Sequence, residues 1–429
     1  MKKISLSLVL FIIVVATFII PYWTGVEAEK QLDPFWQPVP FLTPLDHDYK
    51  RGWWSSEART HFKIQGIPET LPSPPHFYLV HQVDHGFLPI KPTVIETSLY
   101  YSEVTGEAKG KEIQLLQAQT RWQSQENLRS HIIMPPLVWT AAENQMRLDW
   151  QGLQGDVYLT QHGELFQADL EMPQLLLKME AYQIAAHNLL VNVQWQLLNF
   201  LKNQGYLTIA SLQVKTSQPS LIALEGVTVE GNNQVANESL TGFLKTRVQQ
   251  IQIGEDNYGS AYGEIELQRL HLESLVSIFQ LWLENRSSGG LAPRQLNLVT
   301  LARLIPIGLT LLNQSPKLAI TQLRLDTPAG ELQGTLEITT APLEAQILFN
   351  PAAFFNAFQV QAKLRLSDTL LSQLTQTWLN LSAVQEPVGQ RIQTWLDQNL
   401  LVESEPHVYS IQLQLENGDL QINGKNLPQ

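Results

Sequence analysis

Alternation of apolar and polar residues runs through much of this chain and limits the folds that it can adopt. The segment FQVQAKLRL places Phe358, Val360, Ala362, Leu364 and Leu366 at every second position, with Gln, Lys and Arg between them. Similar runs lie at 317–327, 331–340 and 408–416. Because successive side chains of a strand point to opposite faces, this pattern predicts half-buried strands. Antiparallel sheets typically have one face exposed to solvent, so we expect large, curved antiparallel sheets.

Turn signals between these runs predict that the sheets are built from hairpins. Asn417–Gly418 separates two alternating runs, and both residues tolerate positive φ. Three segments, 146–159, 323–338 and 413–427, share an outline in which Leu and an acidic residue precede a Gly-containing turn. We interpret all three as antiparallel hairpins. Their likeness reflects either an internal duplication or strand-turn chemistry alone.

Helical periodicity predicts four helices, all in the C-terminal half of the chain: 271–287, 294–314, 367–381 and 386–401. We expect Pro306 to kink or split the second helix, because proline removes a backbone donor. Ser367 is a plausible cap residue for the third helix, and Pro387 occupies a first-turn position of the fourth. The predicted fold class is a β-rich α+β protein, a large antiparallel sheet with helices inserted late.

The N-terminus carries an apolar run that is long enough to cross a membrane. Lys2 and Lys3 precede Ile4–Ile20, and the aromatic residues Tyr22 and Trp23 follow it. About 20 residues of helix span a bilayer core of roughly 30 Å. Lysines before the run and aromatic residues after it indicate a transmembrane anchor with a cytoplasmic N-terminus.

A cleavable signal peptide is the alternative, with Val26 and Ala28 at a small-residue cleavage site. The apolar run is long for a signal peptide, which favours the retained anchor. Under both interpretations, the rest of the chain is exported across the membrane. We therefore divide the sequence into an anchor (1–23), a proline-rich linker or cover segment (24–48) and an exported β-rich body (49–429).

Composition excludes several classes of function. The net charge of −12 argues against binding to nucleic acid, and the absence of cysteine excludes disulfides, thiolate catalysis and zinc–cysteine or iron–sulfur sites. We find no Gly-rich phosphate loop, no nucleophile elbow, no HExxH motif and no EF-hand loop. We expect no cofactor, and the sequence favours a protein that is not an enzyme without deciding the matter.

The segment YKRGWWSSEART (49–60) raises the question of a serine active site. If it is a strand, the odd-numbered residues form a mostly charged face and the even-numbered residues a mostly apolar one. A nucleophilic serine needs a positioned base and usually a strained turn, so this regular alternation favours an amphipathic strand that starts after Gly52. Trp54 is expected to pack inward. Trp53, with Arg51 and Ser55, is a candidate for contacts outside the fold.

The segment HFYLVHQVDHGFLPIK (76–91) is the densest cluster of polar side chains. His76, His81, Asp84 and His85 can in principle form a histidine–carboxylate metal site. Strand parity, however, places His81 and His85 on one face and the other two on the opposite face. The alternative is an ordinary turn, in which Asp84 caps backbone groups and Gly86 supplies positive φ. That alternative is favoured.

Four segments in order resemble one family: YWTG (22–25), YKRGWWSSEA (49–58), VDHGFLPI (83–90) and YSIQLQLENGDLQINGKNL (409–427). Together they are similar to the motifs of the YdgA/YihF-type bacterial envelope proteins, a family without an established activity. Phe87 and Leu88 depart from the pattern, since the family often has proline directly after the glycine. The resemblance implies a single-pass inner-membrane protein with a periplasmic body, and it supplies no catalytic residue.

Three hypotheses about function follow. The first is a binding or scaffolding body whose partner is another envelope protein, or a lipid held along an apolar sheet face. The lipid version rests on a fold-level analogy to β-groove lipid carriers and requires an apolar face that is open to solvent. The second is a metal-dependent hydrolase centred on His81, Asp84 and His85. The third is a purely structural envelope component.

Overall fold

Each alternating segment named above forms a strand in the computed structural model of the protein. The structure describes residues 26, 42–64, 76–85, 93–102, 112–124, 127–141, 146–160, 165–196, 202–216, 221–287, 298–341, 356–382 and 386–426. Every strand pairing among them is antiparallel, as the sequence predicted.

From Leu42 to His271, the regular elements that the structure describes are all strands. They are β1 (Leu42–Arg51), β2 (Ser55–Ile64), β3 (His76–Asp84), β4 (Thr93–Ser102), β5 (Glu112–Ser124), β6 (Asn127–Met134), β7 (Leu137–Ala141), β8 (Met146–Trp150), β9 (Leu153–Thr160), β10 (Phe166–Lys178), β11 (Tyr182–Trp195), β12 (Lys202–Thr216), β13 (Leu221–Ala236), β14 (Ser239–Val248), β15 (Gln250–Ile253), β16 (Asp256–Tyr258) and β17 (Ala261–His271).

The second half alternates helices with strands. These elements are α1 (Leu272–Ser287), α2 (Leu298–Asn313), β18 (Lys317–Thr327), β19 (Gly330–Thr340), β20 (Phe358–Ser367), α3 (Asp368–Ser382), α4 (Val388–Asp397), β21 (Val402–Glu405), β22 (Val408–Glu416), β23 (Asp419–Ile422) and β24 (Lys425–Asn426).

All these strands belong to one sheet, and its main ladder follows the order of the chain. The ladder runs β1–β2–β3–β4–β5–β6–β9–β10–β11–β12–β13–β14–β17–β18–β19–β20–β22–β23–β24. The short strands β7, β8, β15, β16 and β21 pair along its margins. Antiparallel neighbours need only short connections, which explains why sequence neighbours pair.

Two of the predicted hairpins are confirmed. Asn417 and Gly418 both have positive φ, 54° and 85°, and they join β22 to β23. The segment 323–338 forms the hairpin of β18 and β19. A further turn of this kind, between β13 and β14, uses Asn237 and Glu238, with φ of 51° and 64°. Positive φ at a glutamate is strained, because its Cβ crowds the backbone.

The third predicted hairpin, at 146–159, is wrong. β8 and β9 both pair antiparallel with β10, so the chain keeps its direction across Gln151 and Gly152. Gly152 has φ of +98°, and a Cβ there would lie 2.7 Å from the backbone oxygen of Met134. The glycine therefore permits an interruption within one strand line rather than a reversal.

This interruption is part of a line that crosses several strands, which we call the seam. The pairing of β10 with β11 passes from Met172–Leu189 to Gln174–His187. The pairing is interrupted at the corresponding positions of the neighbouring strands. The residues of the seam are Pro135, Pro136, Gln151, Gly152, Pro173, Asn188, Ala210, Gly226 and Gln249. Proline and residues with positive φ suit these positions, because the regular ladder is broken there.

The seam shifts the apolar alternation by one residue and keeps the same face apolar. In β11 the apolar residues Ile184 and Ala186 have even numbers before the seam, and Leu189, Val191 and Val193 have odd numbers after it. The same shift occurs in β10, β12 and β13. A sheet with one apolar side therefore extends on both sides of the seam.

The helices cover the C-terminal end of this sheet. α3 contacts β19, β20 and β22, and α1 and α2 contact β17. The main core cluster forms there from Ala329, Leu366, Leu370, Leu371, Ile392 and Leu401. The predicted cap is confirmed, since the backbone N–H of Leu370 donates to Ser367 Oγ at 3.4 Å.

The helix predictions hold with two corrections. α2 is one continuous helix that contains Pro306, so proline does not split it. Pro387 lies at the N-cap of α4, with φ of −60° and ψ of 135°, rather than in its first turn. Extended ψ at that position belongs to the residue before a helix.

The predicted anchor at residues 1–23 lies outside the described residues, as does most of the linker at 24–48. β1 begins at Leu42, so the last residues of that linker belong to a strand that pairs with β2. Of the helices that the structure describes, none has both the length and the apolar character that a membrane span requires.

Candidate functional site

The sequence-predicted candidates lie around the connection of β1 to β2. Arg51 ends β1, Trp53 lies in the bend that follows, and Ser55 begins β2. Ser55 lies opposite Asp84, the last residue of β3, and both side chains are exposed. The two motif segments at 49–58 and 83–85, which are far apart in sequence, are therefore neighbours in the sheet.

The predicted parity of β2 is confirmed, but that of the tryptophans before it is not. Ser56, Ala58, Thr60 and Phe62 are buried, whereas the odd-numbered residues from Ser55 to Arg59 are exposed. Trp54, expected to pack inward, is 48% exposed, and Trp53 is 57% exposed. Both lie in the bend ahead of the strand, so strand parity does not apply to them.

A buried hydrogen bond joins the two motif segments. Ser56 Oγ lies 2.8 Å from His85 Nε2, and His85 Nδ1 lies 3.0 Å from the backbone oxygen of Trp53. The backbone N–H of His85 also donates to the oxygen of Trp54 at 2.8 Å. Since a carbonyl oxygen only accepts, Nδ1 donates to Trp53, and in the neutral ring the Ser56 hydroxyl then donates to Nε2.

In this pair the serine hydroxyl faces a histidine nitrogen, as a nucleophile faces its general base. Both side chains are buried, however, so a substrate cannot reach the serine. Ser56 is 5% exposed and His85 is 3% exposed. A nucleophile must reach a substrate carbon, and a buried polar pair is otherwise explained by mutual satisfaction of hydrogen bonds. The geometry favours a structural role, in which the pair fastens the bend at 52–54 to the end of β3.

Two more histidines are held by threonines on neighbouring strands. His81 Nδ1 lies 2.8 Å from Thr97 Oγ1, and His47 Nδ1 lies 2.9 Å from Thr60 Oγ1. Burial, with a smaller contribution from the charge of His47, lowers the pKa of His81 from 6.5 to about 4. His81 is therefore neutral at physiological pH.

The structure does not assemble the proposed metal centre. His81 binds Thr97, His85 binds Ser56, and the exposed Asp84 lies on the other face of β3, as parity predicted. Within the described ranges, no group of three or more His, Cys, Asp or Glu side chains can hold a metal ion. The arrangement of these residues gives no support to a metal-dependent hydrolase.

The most extensive candidate surface is one side of the sheet, which we call the apolar face. Cross-strand partners lie on the same face of a sheet. One such row passes through Val157, Ala168, Val193, Gly205, Gly231, Leu244, Ile265, Ile320, Leu336, Ala362 and Leu413. The adjacent row on the opposite, polar face contains Gln167, Gln194, Gln204, Asn232, Phe243 and Glu266.

The apolar face is open to solvent between β11 and β14. Trp195 is 46% exposed and Leu244 is 43% exposed. Further apolar-face residues with large exposed side chains are Ile222, Ile253, Leu267 and Leu318. Large apolar side chains exposed on several neighbouring strands mark a candidate interaction site.

A groove of about 660 Å³ lies within this open part. Its apolar lining includes Val191, Val193, Trp195, Leu207, Val229 and Leu244. Gly205 and Gly231, which are cross-strand partners, form its floor. A Cβ on Gly205 would come no closer than 3.5 Å to a neighbouring atom, so backbone crowding does not require glycine there. The two glycines instead leave space above the sheet.

A sequence model of a bacterial family of unknown function, DUF945, matches residues 1–429. The chain belongs to the DUF945 family. No curated protein and no solved structure matches it. Since the DUF945 match covers the whole chain, the motif segments around Ser56 and His85, the seam and the groove all lie in the region shared with the family.

Sequence reasoning missed the groove of this DUF945 member and the partner of His85. The signal for the groove was glycine inside two alternating runs, at Gly205 and Gly231, since glycine in a strand often marks a site of close approach. The signal for Ser56 was parity, which put it on the buried face. Neither signal reveals which strands are neighbours, and that pairing creates both features.

Proposed function

We propose that this DUF945 protein is a single-pass inner-membrane protein whose periplasmic body binds the hydrocarbon chain of a lipid on its apolar face. The groove floored by Gly205 and Gly231 carries this proposal. It crosses β11 to β14, three strand spacings of about 4.8 Å each, or roughly 14 Å. Its volume of about 660 Å³ falls within the usual range for small-molecule sites.

Physical chemistry favours an apolar occupant. Exposed Trp195 and Leu244 gain free energy when a ligand removes them from water, at about 25 cal/mol for each Å² of apolar surface. The described residues that line the groove include no charged side chain. An extended hydrocarbon chain fits such a surface better than a folded polar ligand does.

The sequence supports the location. Lys2, Lys3 and the apolar run that ends near Trp23 have the composition of an anchor with a cytoplasmic N-terminus. The resemblance of the motif segments to those of YdgA/YihF-type envelope proteins supports a periplasmic body. An anchor at residues 4–23 holds the groove near a source of lipid.

Location is testable because the chain contains no native cysteine. A membrane-impermeant maleimide applied to spheroplasts is expected to label Ser55→Cys, whose position is exposed in the structure. It is expected to spare Lys2→Cys until the membrane is permeabilised. Labelling of both variants in intact spheroplasts, or of neither, contradicts the proposed topology.

Lipid binding is testable with a photoactivatable hexadecyl probe that carries a diazirine along its chain. The full chain, held in amphipol, is irradiated with the probe, and cross-linked peptides are mapped by mass spectrometry. Cross-links are expected around Trp195 and Leu244. Gly205→Val fills the groove and is expected to reduce these cross-links by at least fivefold.

Gly263→Val is the matched control. Gly263 lies on β17, on the same face but outside the residues that line the groove, and no atom lies within 4 Å of the position that its Cβ would take. Cross-linking in this variant should equal that of the wild type. Cross-links scattered over the chain, or unaffected by Gly205→Val, would remove the basis for a lipid site.

A further inference from the structure

The bend between β1 and β2, residues 52–54, exposes two adjacent tryptophans, and we call it the tryptophan bend. About half of each side chain, Trp53 and Trp54, is exposed to solvent. Tryptophan side chains are usually highly buried, because each carries a large apolar surface. Two neighbouring indoles in water therefore indicate a contact with something outside the chain.

The backbone of the tryptophan bend is held in one shape. The N–H of Gly52 donates to the oxygen of Ser55 at 2.9 Å, and a Cβ on Gly52 would lie 2.6 Å from the same oxygen. His85 binds both tryptophan carbonyl oxygens, that of Trp53 through Nδ1 and that of Trp54 through its backbone N–H. A bend that is already ordered loses little conformational entropy when its side chains bind a partner. The hydrogen bonds of His85 thus help to present the two indoles.

The tryptophan bend lies on the margin of the sheet where the groove begins. Trp195, at the end of β11, and Asn203, near the start of β12, both line the groove. The strand register connects the two places, since Ser55 pairs with Asp84 and Asp84 with Val94. One residue further out, the row continues through Thr93, Trp122, Leu128, Leu159, Phe166 and Trp195. The bend and the groove therefore belong to one margin, and strand spacings of about 4.8 Å place them roughly 34 Å apart along it.

The charges around the tryptophan bend nearly balance. Lys50 and Arg51 precede it, and Asp48, Glu57 and Asp84 lie beside it on β1, β2 and β3. All five side chains are exposed, and Lys50 Nζ pairs with a carboxylate oxygen of Asp48 at 3.1 Å. Attraction to an anionic surface is therefore weak, because a cluster of cations is what such surfaces attract. The indoles remain as the main source of binding free energy.

A lipid bilayer matches this combination of side chains. Indoles favour its interface, because the ring is apolar and the N–H seeks a hydrogen-bond partner. Tryptophan is also enriched in protein interfaces, but residues 24–41 span at most about 60 Å when extended, so the predicted anchor keeps the body close to a bilayer.

We propose that the tryptophan bend inserts into the bilayer interface as a second membrane contact and turns this margin of the sheet toward the membrane. Its partner is the uncharged interface of the bilayer rather than an anionic head group. This inference rests on the proposed membrane location, and it does not require that the groove binds lipid.

The test measures contact between a fluorescent label and lipid, and the absence of native cysteine allows a single label in each variant. The full chain is reconstituted in phosphatidylcholine vesicles with NBD on Ser55→Cys, beside the tryptophan bend, or on Glu180→Cys. Glu180 is exposed between β10 and β11, at the opposite margin. A lipid with a nitroxide near its glycerol is expected to quench the first label at least threefold more than the second. Equal quenching, stronger quenching of Glu180→Cys, or quenching that requires added phosphatidylglycerol overturns the inference.

Substitutions assign the quenching to the indoles. Trp53→Ser combined with Trp54→Ser is expected to lower quenching of the Ser55→Cys label to the level at Glu180→Cys. Replacing both tryptophans with phenylalanine keeps an aromatic surface and should retain at least half of the excess. Trp139→Ser is the matched control, since Trp139 is 40% exposed on β7, and the partner of β7, β8, pairs with the opposite end of β10.

The outcomes separate this inference from the proposed location. Unchanged quenching in the double serine variant, or an equal loss in Trp139→Ser, contradicts insertion of the tryptophan bend. A chain that does not float with the vesicles contradicts the membrane location as well. A chain that floats through its anchor but carries an unquenched label at Ser55→Cys contradicts only the second contact.

Discussion

Acid should destabilise this protein through one histidine. His81 is buried on β3, and its pKa falls from 6.5 in the unfolded chain to about 4 in the folded protein. Between these values the unfolded state binds a proton that the folded state does not. Stability is therefore full above about pH 6.5 and is lost as the pH falls toward 4.

The shift sets the size of the effect. A difference of about 2.5 pKa units corresponds to roughly 3 kcal/mol of unfolding free energy at 1.36 kcal/mol per unit. The loss should approach 1.4 kcal/mol per pH unit in the middle of the window. This is a large fraction of the stability of a typical domain.

The assay is urea unfolding, followed by tryptophan fluorescence, at intervals between pH 7.5 and 4. His81→Gln removes the titrating ring and keeps a polar group opposite Thr97. In this variant, unfolding should take up about one proton fewer across the window, so its unfolding free energy should depend less steeply on pH. His131→Gln is the matched control, since His131 is exposed on β6 beside Asp156. Parallel curves for wild type and His81→Gln across the window would refute the reasoning.

Three further predictions concern stability and are tested by urea unfolding at pH 7.5. Ser56→Ala should cost about 1–3 kcal/mol by leaving buried His85 without its hydroxyl partner, whereas the exposed Ser55→Ala should change stability by less than about 0.5 kcal/mol; equal effects contradict the role of the pair. Glu238→Gly should stabilise by about 1 kcal/mol, because glycine relieves the strain of positive φ in the β13–β14 turn, and a loss of stability would argue against this turn. Gly152→Ala should cost well over 1 kcal/mol more than Gly254→Ala, since both glycines have positive φ but only the first would place a Cβ against Met134; similar costs would contradict the close approach.

The alternation of the sequence predicted the strands in the segments where it is regular, the direction of their pairing and the buried face of β2. It succeeded because a sheet with one apolar side imposes period two on every strand, whatever its neighbours are. Turn residues with positive φ, such as Asn417, likewise report local backbone geometry. Ser367 was recognised as a cap for the same reason.

The predictions that failed depend on which strands pair with each other, and local sequence does not determine that pairing. Gly152 has the sequence context of a hairpin, yet β8 and β9 extend along a common partner. Trp54 lies one residue ahead of β2, where the alternation has not begun. The neighbours of Ser56 and Gly205 come from segments that no local rule connects to them. The seam was not predicted because, within a single strand, a one-residue shift in the alternation resembles ordinary sequence variation.

The ladder has a consequence for how the chain folds. Nearly every strand pairs with its predecessor or successor in the order of strands along the chain. A chain of this kind gains stability through nearest-neighbour terms, as repeat proteins do, and folding can grow from any established pair of strands. A chain that is synthesised from its N-terminus can therefore add each strand to the previous one as it appears. The order of synthesis is then also an order of assembly that exposes only one unpaired growing edge at a time.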